Sequence, residues 1–272
     1  MKYIFKIMFI IIFQIKLFGT GQIPDMIIYK GDTLLLHNTP LCDYPDKEVT
    51  NIEKLFNGEG CTSSNCCRGY VATWEIIDNT LYLIKITSLC YIYKIESKRE
   101  IGSAFSNLKE LFPDRYEDGK VKADWVSGNL YAPHGKLLWD FNHEFSNIFE
   151  KEFGFTVENG VLIDVKLLDN SKTRKSKYDD NNSIIRLIYN NINNENLPKN
   201  DTVRRRVYVQ IFTTDDNGKP DSVRIVGEVN KLYDNEIIKA VRSLTGLEVM
   251  YRHGERVSPI MIIPLNFNVS SP

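Results

Sequence analysis

The last third of this chain alternates between two hydrophobic periods, and that alternation most limits what it can fold into. Ile184, Ile185, Ile188 and Ile192 make a helical stripe. From Val207 the period becomes two. Val207, Val209 and Ile211 alternate with Tyr208, Gln210 and Phe212, the pattern of a strand with one face on a core. Asp216-Asn217-Gly218-Lys219 supplies a turn, and Val223 and Ile225 continue the same face on the return strand. A second helix follows. Asp234 is its expected N-cap, Tyr233 and Ile238 a hydrophobic staple, Ile237, Val241 and Leu244 its buried face, and Gly246 its closing residue. Ser258 to Phe267 reads as a final strand.

The ordered series of motifs resembles the C-terminal domain of TonB, the periplasmic module that engages outer-membrane transporters. Ile188-Tyr189-Asn190-Asn191-Ile192 matches the family's first helix, and RVYVQIFTTDDNGKPDSVRIVG its hairpin. YDNEIIKAVRSL matches the second helix, and Ile263-Pro264-Leu265-Asn266-Phe267 the family's ending. The match covers about a third of the chain, about 183–269, within a domain read over 183–272. The Trp-x-Pro corner that the family carries after its second helix is absent, and Leu247 to Val257 stands in its place. The resemblance implies two helices on a three-stranded antiparallel sheet. It also implies a role in binding protein, in connection with TonB-type transport across the Gram-negative envelope.

Pro259 and Pro264 mark the final strand as an edge, because proline cannot donate a ladder hydrogen bond. An open edge can accept an extended peptide as an added strand. The expected partner is an outer-membrane receptor or another envelope protein. The expected contact residues are Tyr251, Arg252, Arg256 and Val257 of a hairpin, and Ser258, Ile260, Ile262 and Pro264 of the edge. Four or five backbone hydrogen bonds at roughly 0.5–1.5 kcal/mol each give ~2–7 kcal/mol. Association costs at least ~4 kcal/mol, so the contact is expected to be weak and transient. Arg204-Arg205-Arg206 is either a second contact or a solvated charge run.

The N-terminus has a basic start at Lys2 and Lys6, an apolar run from Ile7 to Phe18, and small residues at Gly19-Thr20-Gly21. It reads as a signal peptide over residues 1–21, cleaved before Gln22, and so places the protein in the periplasm. The competing reading is an inner-membrane anchor. The run is shorter than the ~20 residues that span a bilayer, and Gln14 and Lys16 interrupt it. A membrane enters only through this segment, if it is not cleaved.

Residues 25–168 read as a mainly antiparallel β domain of no recognised family, so the expected fold class is α+β. Hairpins are expected around Lys30-Gly31-Asp32, Asp78-Asn79-Thr80 and Glu158-Asn159-Gly160. Tyr91–Ile95, Ala123–Tyr131 and Lys136–Phe141 read as further strands, and Phe105, Leu108 and Leu111 as one face of a helix. Trp74, Trp125 and Trp139 fit core positions better than a ligand platform. Residues 169–182 are polar and lack periodicity, as expected of a linker.

Five cysteines leave at least one thiol unpaired, and a local bridge such as Cys61 to Cys66 fits the GEGCTSSNCCRG loop. The four histidines are scattered, and no nucleophile, zinc or phosphate-binding motif is present, so no enzyme activity, cofactor or metal is expected. A net charge of −1 gives no field to attract nucleic acid. The alternative reading places the function in residues 25–168, as an extracytoplasmic ligand-binding or enzymatic domain with the TonB-like module as a docking tail.

Overall fold

The structure is a computed structural model that describes residues 21–97, 104–141, 145–197, 205–227, 231–257 and 261–267. Residues 1–20 of the leader read at 1–21 lie outside the described residues. The protein is α+β, mostly sheet with few helices. Its buried apolar side chains form two separate clusters.

The first cluster belongs to strands β1 (Asp25–Tyr29), β2 (Asp32–Leu36), β3 (Tyr70–Ile77), β4 (Thr80–Ser88), β5 (Tyr116–Glu117), β6 (Lys120–Lys122), β7 (Gly128–Trp139), β8 (Ile148–Glu158) and β9 (Val161–Asp169). The sheet order is β2-β1-β3-β4-β9-β8-β7, with β6 and β5 added beside β4. The three expected hairpins form. Asp78 and Asn79 both take positive φ, as do Asn159 and Gly160, the geometry of a two-residue turn between twisted strands. One pairing is parallel: Met26, Ile27 and Ile28 of β1 lie beside Thr73, Trp74 and Glu75 of β3. The two ends of the sheet meet, since His37 N–H donates to the Tyr131 carbonyl at 2.8 Å and Tyr131 N–H to the Asn38 side chain at 2.7 Å. Trp74, Trp125, Phe112 and Tyr44 interlock inside in mostly edge-to-face contacts. Trp139 is outside this core, stacked on Phe141.

Two strand expectations fail here. Tyr91–Ile95 belongs to α2 (Leu89–Ser97), a helix after α1 (Ile52–Leu55). The Ser88 hydroxyl accepts from Cys90 N–H at 3.2 Å, an N-cap contact that outweighs the β-preference of Tyr91-Ile92-Tyr93. Ala123–Ser127 is a turn, not strand: Val126 N–H folds back to the Ala123 carbonyl, which lets both Trp125 and Val126 face the core. The expected helix near Phe105 shrinks to the single turn α3 (Leu108–Leu111), and Phe105 instead bridges Thr87.

The second cluster lies between α4 (Asn181–Asn191), α5 (Lys231–Arg242) and a three-stranded antiparallel sheet. The sheet comprises β10 (Arg205–Thr214), β11 (Pro220–Val226) and β14 (Met261–Phe267), in the order β11-β10-β14. A separate hairpin, β12 (Met250–Arg252) and β13 (Glu255–Val257), precedes β14. Ile184, Ile188, Val207, Val209, Ile211, Ile237, Val241 and Leu244 are all buried, as their periods require. Asp180 caps α4 by accepting from Ser183 N–H at 2.7 Å. Asp234 is not a cap, because α5 already runs from Lys231. Gly246 has φ +74 but does not close the helix; its N–H donates to the Asn217 carbonyl.

The segment 169–182 has mostly exposed side chains, as its composition suggests, but it is fastened at several points. Asn170 is buried and bonds Phe149 and Gly254, Arg174 bridges Val249, and Tyr178 donates to the Thr245 carbonyl. These few polar side chains have partners in both units.

Candidate functional site

The outer edge of β14 is the first region to test. Odd-numbered residues of β14 bond to β10, so even-numbered ones turn their backbone groups outward. Asn266 demonstrates the direction: its N–H donates to the Tyr189 hydroxyl at 2.7 Å, and that hydroxyl donates to its carbonyl at 2.8 Å. Pro264 is also at an outward position, where its missing N–H costs no ladder bond. Three outward groups remain among the described residues: the N–H and C=O of Ile262 and the C=O of Pro264. Ile262 is 50% exposed. The edge is therefore open, but over a shorter length than the prolines suggested. Tyr189 from α4 plugs its far end.

The hairpin residues have a different fate. Its loop is His253-Gly254, both at positive φ, and it is docked on β7, β8 and β9. His253 N–H donates to Glu152 Oε2 at 3.1 Å, the His253 Nδ1 lies 2.8 Å from the same oxygen, and Gly254 N–H donates to the Asn170 side chain at 2.9 Å. The His253 ring stacks on Tyr131 with centroids 3.6 Å apart. Tyr251 donates to Asp216, Arg252 to the Phe145 carbonyl at 2.9 Å, and Arg256 to Asp221 at 3.4 Å. Of the expected contact residues, Tyr251, Arg252 and Arg256 are thus engaged inside the molecule. Val257 lines the cleft under the hairpin, and only Ile262 and Pro264 are on the open edge. Ser258 and Ile260 lie outside the described residues.

Sequence patterns gave no sign of the junction beneath the hairpin. Glu152 is in the middle of a strand and its side chain is 3% exposed. Burial raises its carboxyl, but the His253 ring, the Asn170 side chain and the His253 N–H more than offset this, and the net shift is downward. His37 packs on Phe145 and edge-on to Phe149. Burial lowers its imidazolium to about 4; Glu152 pulls it up while Arg252 and His253 push it down. Several polar groups lining the neighbouring clefts are bonded internally. Asn38 binds Tyr131, Thr156 binds Asn129, Ser127 accepts from Asn159, and Trp125 donates to Pro40. Among the described residues no three His, Cys, Asp or Glu side chains are grouped so as to hold a metal ion. The arrangement fastens two units together.

The cysteine expectation is corrected. Cys61 pairs with Cys90, not with Cys66. A short turn closed by Ser63 and Cys66 points the Cys66 sulfur inward, where it donates to the Tyr70 carbonyl at 3.3 Å. Cys61 faces α2 instead, with Cys90 at a Cα–Cα distance of 5.5 Å, inside the usual range.

No family model, curated protein or solved structure matches this chain. Among the described residues no helix is long and apolar enough to cross a membrane.

Proposed function

We propose that this is an exported, non-enzymatic interaction protein whose β14 edge receives an extended segment of an outer-membrane receptor or another envelope protein. On this reading the unit formed by α4, α5 and the three-stranded sheet is a TonB C-terminal-like module. The leader is cleaved before Gln22 and the protein works in the periplasm.

The observation that carries the reading is the outward N–H and C=O of half-exposed Ile262 on an edge strand. Three outward groups at roughly 0.5–1.5 kcal/mol each contribute ~1.5–4.5 kcal/mol. That is about what association costs, ~4 kcal/mol or more, so side-chain contacts must supply the net affinity. The contact is reversible and brief. Docking of the β12–β13 hairpin removes Tyr251 and Arg252 from the partner site and confines it to β14.

The test uses the full secreted chain against a displayed library of random peptides. Ile262→Pro deletes one outward N–H and spares the pairing with β10, as Pro264 already does. Peptides recovered on the wild type should lose at least tenfold in affinity for Ile262→Pro. They should keep it for Leu232→Ser, a change at an exposed site on α5. Binders indifferent to Ile262→Pro would sink the site. A mature mass beginning at Gln22, from the soluble periplasmic fraction, would support export; a chain starting at Met1 in the inner membrane would replace it with an anchored form.

A further inference from the structure

We propose that Cys42 and Cys67 form a second disulfide. The three thiols left after Cys61–Cys90 is made are not alike. Cys66 is buried and donates to the Tyr70 carbonyl. Cys42 and Cys67 are exposed, and both line one shallow cleft of about 310 Å³.

Local geometry explains why Cys67, and not its neighbour, faces that cleft. Cys66 turns in toward Tyr70, and Arg68 turns in to reach Asp25 at 3.0 Å, so Cys67 between them turns out. Cys42 is carried by the short turn Pro40–Asp43, anchored in the core by Leu41. Its sulfur lies 3.6 Å from the Tyr70 hydroxyl, and the Arg68 guanidinium lies over the Tyr70 ring at 5.6 Å. Tyr70 is thus the shared neighbour of both thiol-bearing segments. A disulfide needs Cα atoms about 4.4–6.8 Å apart. Both cysteines are in turns outside the sheet, so closing to that distance breaks no strand pairing.

The chemistry needs an oxidant, and a small-molecule disulfide such as oxidised glutathione serves. The thiolate of Cys42 or Cys67 attacks it, giving a mixed disulfide and releasing one glutathione. The other protein thiolate then attacks the protein sulfur of that mixed disulfide and releases the second glutathione. Two electrons pass to the oxidant, and the two thiol protons end on the two glutathiones. The bridge closes the loop that carries α1 and holds the backbone beside Arg68.

The experiment is peptide mapping without reduction, after native wild type, Cys66→Ser and Cys67→Ser are equilibrated with oxidised glutathione. Trypsin releases Gly31–Lys47 with Cys42, and Leu55–Arg68 with Cys61, Cys66 and Cys67. The two fragments should be linked in wild type and in Cys66→Ser, and unlinked in Cys67→Ser. Absence of the link in wild type overturns the proposal, as does a link that survives Cys67→Ser and vanishes in Cys66→Ser. A thiol titration of the oxidised wild type covers the case of an unstable variant. One thiol should react, and only after denaturation; two reactive thiols in the native protein also overturn it.

Discussion

The Tyr189 hydroxyl holds both backbone polar groups of Asn266, at 2.7 and 2.8 Å, and so takes the place of a neighbouring strand. A side chain from α4 thereby blunts an edge that would otherwise run on to the end of β14, a device that limits edge-to-edge association.

Tyr189→Phe should free those two groups to water. We expect a loss of about 1–3 kcal/mol of stability, since each of the two hydrogen bonds contributes roughly 0.5–1.5 kcal/mol. The longer edge should also self-associate. Urea denaturation and concentration-dependent light scattering read the two effects; a variant as monomeric as wild type at high concentration would deny the plug its protective role.

His37 makes the protein less stable in mild acid. Its folded-state value, about 4, is below the ordinary 6.5, so the unfolded chain binds more protons between these values. Its contribution is whole above 6.5 and is lost as pH falls toward 4. Asp25 opposes it. Burial, only partly offset by Arg68, Trp74 and Ala72, raises that carboxyl from 3.8 to about 6, so its contribution weakens as pH rises through this window. His37→Phe keeps an aromatic ring beside Phe145 and Phe149. The difference between it and wild type in urea midpoint, measured from pH 7 to 4, isolates the histidine. The gap should move in favour of the variant as pH falls; a constant gap would mean that His37 does not titrate there.

Asp25 is fully buried and accepts from Arg68, Ala72 N–H and Trp74 Nε1 at 3.0–3.1 Å. Asp25→Asn leaves the Arg68 cation buried without a counter-charge, which typically costs ~3–5 kcal/mol. The double change Asp25→Leu with Arg68→Met removes both charges and should cost less than the single one. Chemical denaturation of wild type and the two variants decides it, and a double variant no more stable than Asp25→Asn would contradict the pairing.

Two turn glycines should respond differently to alanine. Gly218, at φ +68, would bring a Cβ within 2.3 Å of the Leu247 carbonyl oxygen. That backbone must move, beyond roughly 1–3 kcal/mol of strain for a left-handed residue. Gly31, at φ +89, has nothing within 4 Å, so its substitution should carry the conformational cost only. Equal losses of thermal stability in Gly218→Ala and Gly31→Ala would refute the close approach to Leu247.

Local chemistry made the hairpins and the amphipathic helices legible. A Gly or Asn at positive φ, or an isoleucine every third or fourth residue, acts through neighbours in the chain. The same logic misread Tyr91–Ile95, where a capping serine outweighed β-preference, and Ala123–Ser127, where a turn lets consecutive residues share the core. Half of the candidate edge was legible too: Pro264 announced an edge strand, but nothing in its surroundings announced Tyr189.

By itself the sequence determined which segments are strands and helices in the last third, which faces they bury, and that β14 is an edge. Period and proline chemistry are local, and they do not depend on what lies across the sheet. Only the tertiary structure decided that Cys61 meets Cys90, that Asp25 is buried against Arg68, and that His253 is held by Glu152. Those partners are 29, 43 and 101 residues apart. Their pairing is set by how the chain closes its cores, because burial makes an unsatisfied charge or donor costly enough to choose its partner.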